Sequence, residues 1–97
     1  MEATVEELKR REKEDKKDYV LLDVREDYER AEFNVGGIHV PLGQLSMGME
    51  KLAPYRDQEI IVYCRSGKRS AMAQELLRQS GFKNVRNLEG GMLAYQK

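Results

Sequence analysis

One thiol and three cations stand together in residues 64–70, CRSGKRS. Cys64 is the only cysteine of the chain, and Arg65, Lys68 and Arg69 follow it within five residues. The thiolate, not the thiol, is the nucleophilic form of cysteine. A free cysteine titrates near ~8.5, and nearby cations or a helix N-terminus lower that value. Gly67 lets a short loop curl tightly, because glycine tolerates positive φ. If the backbone N–H groups of residues 65–70 turn inward, they form a nest for an anion, with a helix that begins near Ser70 behind it. The pattern suits a nucleophilic sulfur that handles an anionic substrate. The competing reading is an inert cysteine packed at a strand end, since free cysteine often behaves as a small buried hydrophobe. The glycine and the three cations favour the reactive thiol.

Such a loop needs a strand to deliver the thiol and a helix to receive it. EIIVYC (59–64) reads as a central strand, and SAMAQELLRQSG as the helix after the loop. In that helix Ala73, Leu76 and Leu77 are expected to face inward, with Gly81 just beyond its C-cap. YVLLDV (19–24) is a nearly continuous apolar run, as expected of a strand buried on both faces. REDYERAEF reads as a short helix, and GIHVP (37–41) as a second strand. LGQLSMGMEKL reads as one helix with Leu42, Leu45, Met49 and Leu52 on one face. NVRNLEGG is a last strand and turn, and MLAYQK begins a final helix that looks cut short. At the other end, TVEE (4–7) is a capping-box pattern. It opens a helix that buries Val5 and Leu8, and KRREKEDKK is its solvated end. The alternation predicts an α/β domain: a mainly parallel sheet with helices on both faces. In such folds ligand chemistry sits at the carboxyl ends of the strands, where Cys64 falls.

The 97 residues are read as one domain, 1–97. Lys+Arg and Asp+Glu both number 17, and this balance argues against a general nucleic-acid binder. No apolar run is long enough to cross a membrane, and the first residues lack the apolar segment of a secretory leader. A single cysteine forms no intrachain disulfide, and nothing points to a metal site or a cofactor. A reducing, cytoplasmic setting is the expectation.

The loop resembles the active-site loop of single-domain rhodanese-like sulfurtransferases, whose pattern is C-x-x-G-x-R-S. LLDVRE (21–26) resembles that family's first strand with its D-V-R signature, and VPLGQL (40–45) its I-P-L segment. GFKNVRNLEGGMLAY (81–95) resembles the closing G-[FY]-x-x-V-x-x-L-x-G-G segment. The resemblance is clearest over 19–97. It implies that Cys64 takes sulfane sulfur from thiosulfate or a similar small anionic donor and forms a persulfide. A thiol or cyanide-like acceptor then removes the sulfur, and a sulfur-relay protein is a further candidate partner. Residue by residue, Cys64 matches the persulfide-forming cysteine, and Arg65, Ser66, Gly67, Lys68, Arg69 and Ser70 match the loop around it. Asp23 matches the aspartate of the D-V-R signature. It either braces the loop, through Arg69 or a backbone N–H, or serves a turn or cap. Arg69 either binds the donor or buckles the loop, and Arg25 reads as structural. One departure lies in FNVGGI (33–38), where relatives carry G-H-I-P-G-A. Asn34 stands near the usual histidine, and His39 reads as an ordinary strand histidine. Two alternatives stay open. One is a phosphatase or arsenate reductase, although those loops are C-x5-R and this one is C-x4-R. The other is a non-catalytic sulfur-carrier or protein-binding module.

Overall fold

The computed structural model describes residues 2–14 and 17–97. Four strands, β1 (Tyr19–Asp23), β2 (Ile38–His39), β3 (Glu59–Tyr63) and β4 (Asn84–Asn87), form a sheet in the order β2-β1-β3-β4. Every pair is parallel, with Leu22 beside Val62 and Ile60 beside Val85. Five helices accompany them: α1 (Val5–Glu12), α2 (Asp27–Glu32), α3 (Met49–Leu52), α4 (Lys68–Gln79) and α5 (Gly91–Tyr95). The expected α/β architecture is therefore present.

β3 lies between β1 and β4, and Ile60, Ile61, Val62 and Tyr63 are all fully buried. A strand covered on both faces has no solvent side, so its sequence loses the period-two alternation. On one face Ile60 and Val62 pack with Leu45, Leu52, Ala73 and Leu77. On the other, Ile61 and Tyr63 pack with Leu8, Leu88 and Met92.

Three local expectations need correction. Residues 42–52 are not one helix: a 3-10 turn over Leu42–Gln44 is separated from α3. A Cβ on Gly48 would lie 2.8 Å from Val40 Cγ1, so this segment is shaped by contact with the β2 exit. The apolar positions still point inward, with Leu45 and Leu52 buried and Leu42 and Met49 packed on the core. In α4, Leu76 turns outward and is 38% exposed, whereas Gln74 is buried. The Gln74 amide donates to the Val85 carbonyl and to Glu2, which makes its burial affordable in hydrogen-bond terms. Third, α4 begins at Lys68 rather than Ser70.

α1 opens as expected, with the Thr4 hydroxyl accepting the Glu7 N–H at 3.1 Å. The reciprocal half of the capping box is absent. The Glu7 carboxylate accepts from Arg86 of β4 and from Arg11 instead. Arg11 also donates to Glu59 at 2.8 Å, so the end of α1 is tied to the sheet rather than solvated throughout. Residues 15 and 16 of the charged run lie outside the described residues. Ahead of α1, Ala3 pairs with Leu88 in a parallel bridge and caps the β4 edge. No described helix is long and apolar enough to cross a membrane.

Candidate active site

Cys64 follows the last residue of β3, and its 1% exposure places the thiol at the floor of the loop. The backbone then reverses through Gly67, whose φ of 104° lies in the region that favours glycine, and enters α4. Two features turn the loop N–H groups toward the sulfur. The first is α5: the N–H groups of Met92 and Leu93 donate to the carbonyls of Cys64 and Arg65, each at 3.0 Å. With these carbonyls committed to α5, the loop's donors are left for the interior. The second is the start of α4, which presents the Ser70 N–H.

Cys64 Sγ accordingly accepts from the Gly67 N–H at 3.0 Å, the Ser70 N–H at 3.4 Å and the Ser70 hydroxyl at 3.3 Å. Burial by itself pushes the Cys64 thiol up, and these hydrogen bonds, with one from the Ser66 N–H, outweigh it. The thiol is thus held below its ordinary value. The nest expected from residues 65–70 is present as hydrogen bonds, and the cations contribute less directly than their spacing implies. Arg65 and Lys68 are exposed. Arg69 makes a two-pronged pair with Glu29 of α2, at 2.7 and 2.8 Å. Arg69 draws the Glu29 carboxyl down to about 2, and Glu29 raises Arg69 in turn.

The close approach of α5 explains the second glycine of the GG pair. A Cβ on Gly91 would stand 2.4 Å from the Cys64 carbonyl oxygen and 2.6 Å from that of Arg65. Both are backbone atoms, which cannot swing aside as a side chain does. Gly91→Ala is therefore expected to displace the loop and cost about 1–3 kcal/mol, the range for overpacking. A thermal melt reads the stability, and the Cys64 alkylation rate at neutral pH reads the loop. We expect both to fall, and an unchanged alkylation rate would show that α5 does not set the nest.

Of the two readings of Asp23, a loop brace or a turn, its contacts are those of the turn. It is fully buried and accepts from the Arg25 N–H (3.0 Å), from Arg25 Nε and Nη2 (each 2.9 Å) and from Arg30 (3.2 Å). None of these bonds reaches Arg69 or a backbone N–H of residues 64–70. The i to i+2 contact is an Asx turn, which follows from the D-V-R spacing. Burial raises the Asp23 carboxyl, and the Arg25 and Arg30 bonds overcome that and hold it below its usual range. Arg25 goes on to donate to the Phe33 carbonyl at 2.7 Å, which anchors the end of α2. Asp23 thus touches the loop only at second hand, through α2 and its Glu29.

His39 is held by the Arg25 carbonyl at 2.8 Å and lies 3.7 Å from Asp27, with no bond to Cys64. Asn34 bonds the Arg30 carbonyl and the Gly36 N–H and so shapes the turn before β2. Three further residues were missed by sequence reasoning. Glu29 carried no signal, being one acid among several on a short helix. Asn87 did carry one, as a polar residue ending an apolar strand. It is buried, its amide donates to the Gly67 carbonyl at 3.0 Å, and its Oδ1 accepts from the Ser70 hydroxyl. Gly91 was visible only as half of a motif. Beside the loop, between α2 and α5, a pocket of about 460 Å³ is lined by Arg25, Tyr28, Phe33, Arg65 and Leu93 among others.

Comparison with known proteins places this arrangement. The family model described as "Rhodanese-like domain" matches residues 4–97. YtwF of Bacillus subtilis, which carries a provisional sulfurtransferase name, is 43% identical over 77 residues, 78% of this chain and 72% of the relative. YrkF of the same organism, provisionally named a sulfur carrier protein, is 40% identical over 74 residues, 74% of this chain. The chain spans only 38% of the length of YrkF. The crystal structure of a rhodanese-like domain protein from Staphylococcus aureus superposes with a TM-score of 0.86 at 29% identity, covering 98% of this chain and 91% of that one.

Proposed function

The chain belongs to the rhodanese-like domain family of sulfurtransferases, and from that premise we propose that Cys64 carries sulfane sulfur as a persulfide. The observation that carries this reading is the ring of donors on Cys64 Sγ from Gly67 and Ser70. In the proposed cycle the Cys64 thiolate attacks the outer sulfur of thiosulfate or a similar anionic donor. The new Sγ–S bond forms as the donor's S–S bond breaks, and its electron pair departs with sulfite. An acceptor, cyanide or a thiol, then bonds to the outer sulfur, and the electron pair returns to Cys64 as thiolate. This is covalent catalysis by an activated nucleophile. Exposed Arg65 and Lys68 favour approach of an anion by long-range attraction. A free thiol doing this work suits the reducing cytoplasm.

The position of Arg69 counts against the phosphatase and arsenate-reductase reading. In that chemistry an arginine must be available to a tetrahedral oxyanion, and here both of its forward nitrogens are bound to Glu29. A sulfur-carrier role remains a second reading, favoured by the likeness to YrkF. It differs only in that the partner is a protein rather than a small molecule.

Intact mass spectrometry after thiosulfate treatment and desalting tests the proposal. One added sulfur atom per chain is expected, absent from Cys64→Ser. Since Cys64 is the sole cysteine, no resolving thiol in the chain discharges it. The adduct should persist until cyanide or a small thiol is added and then revert to the original mass. No adduct from thiosulfate or from a persulfide-bearing protein, or one lost without an acceptor, would overturn persulfide chemistry at Cys64. Rapid loading by a persulfide-bearing protein with slow loading by thiosulfate would select the carrier reading.

A further inference from the structure

The Ser70 hydroxyl has one proton and two acceptors. It lies 3.3 Å from Cys64 Sγ and also bonds Asn87 Oδ1. Ser70 is fully buried and Asn87 nearly so, which leaves no bulk water to take either place. The Asn87 amide cannot turn over freely, because its Nδ2 donates to the Gly67 carbonyl at 3.0 Å while its backbone N–H donates to Glu2 at 2.9 Å. Gly67 in turn donates its own N–H to Sγ. Sulfur, hydroxyl, amide and loop backbone thus close a ring.

We propose that Asn87 is a positioning residue that accepts the Ser70 hydroxyl's hydrogen bond when Cys64 Sγ is uncharged and gives it up when Sγ carries charge. The proton stays bonded to Ser70 Oγ throughout, and only its direction changes. In the thiol, Sγ–H donates to Ser70 Oγ and Ser70 O–H donates to Asn87 Oδ1. In the thiolate, Sγ has no proton to give, and Ser70 O–H turns to the sulfur, which as an anion is the stronger acceptor. After loading, the charge sits on the outer sulfur and Sγ is again uncharged, so the hydroxyl turns back to Asn87. The loop therefore meets each stage of the cycle with its donors matched and its backbone still. This assignment rests on the persulfide reading above for its role in turnover, and on the ring of contacts alone for its geometry.

The charged groups around this ring are few. Arg69 acts on Cys64 from α4 but is paired with Glu29 of α2. Arg65 and Lys68 are exposed on the loop, and the Glu2 carboxylate stands behind Asn87. All of them remain in the variants that test the assignment, so their contribution cancels.

The test is the pH dependence of Cys64 alkylation in four full-length proteins: the parent, Ser70→Ala, Asn87→Ala and the double variant. Ser70→Ala removes a donor to the thiolate, so its midpoint should rise. Asn87→Ala removes the acceptor that favours the thiol, so its midpoint should fall by about 0.5–1 pH unit, the size of one neutral hydrogen bond. With Ser70→Ala already present, adding Asn87→Ala should lose that fall. A residue that merely holds Gly67 would shift the midpoint equally in both backgrounds, and that outcome overturns the assignment. So does a Ser70→Ala midpoint that fails to rise. If Asn87→Ala does not fold, Asn87→Leu keeps the branched four-atom side chain without its polar atoms and completes the same cycle. Alkylation needs no sulfur donor. A chain that takes sulfur neither from thiosulfate nor from a persulfide-bearing protein would overturn the persulfide reading and leave this cycle measurable.

Discussion

Replacing Cys64 with serine is expected to abolish thiosulfate:cyanide sulfur transfer while leaving the fold in place. Serine keeps nearly the same shape and can still accept from the Gly67 and Ser70 N–H groups that now meet the sulfur. Its hydroxyl, however, stays protonated at neutral pH and is a far weaker nucleophile than a thiolate. Loss of a covalent nucleophile lowers turnover by on the order of a thousandfold or more. Because the site is a buried strand end, a melt within a few degrees of the parent is the control that separates chemistry from folding. Substantial turnover by pure Cys64→Ser, with no sulfur found on the protein, would sink the persulfide mechanism. The same variant serves as the blank for mass spectrometry and for alkylation.

The largest effect on stability is expected at Asp23. Its carboxylate is fully buried and holds Arg25 by three bonds, and Arg25 is itself only 4% exposed. Asp23→Ala leaves a buried guanidinium without its counter-charge, which costs about 3–5 kcal/mol. For a domain of this size each kcal/mol is worth about 4–8 °C, so the melting temperature should fall by more than about 12 °C. Activity should fall with it, because Arg25 anchors α2 and α2 carries the Glu29 that grips Arg69. The same carboxylate sets an acid limit. Its folded-state value is depressed, so its contribution is fully present above its unfolded value, near 3.8, and is lost as pH falls through the folded one. Glu29, drawn down to about 2 from 4.5, adds a loss in the same direction. Melts from pH 7 to pH 2 should therefore decline below about pH 4 in the parent and be flatter in Asp23→Ala. A melting temperature unchanged by Asp23→Ala at pH 7 would show that Arg25 finds another partner.

Much of the architecture was legible because it depends on continuous local patterns. YVLLD and EIIVY are apolar without alternation, and each is a strand covered on both sides. Val5 and Leu8 follow from a recognisable cap, and Gly81 from a recognisable helix end. The errors fall where a long-range contact overrules a local preference. Leu76 reads as core by spacing, yet the face of α4 is set by Gln74 reaching Val85 and Glu2. Residues 42–52 read as one helix, yet Gly48 against Val40 interrupts them.

Residue order alone is enough to read a strand that presents one thiol at the head of a glycine-bearing, cation-rich loop, with a helix after it. Those features are contiguous from residue 59 to 79, and short-range sterics and hydrogen bonding suffice to read them. What the loop's groups do depends instead on partners brought in by packing. Glu29 reaches Arg69 across 40 positions and withdraws its charge from the mouth. Asn87 reaches Ser70 across 17, and Gly91 brings α5 against the Cys64 and Arg65 carbonyls. Asp23, two residues from Arg25 on the chain, turned away from the loop because a buried carboxylate takes the arginine that its own turn delivers. These partners come from separate elements whose meeting depends on how the sheet and helices pack, and no spacing along the chain encodes that meeting directly.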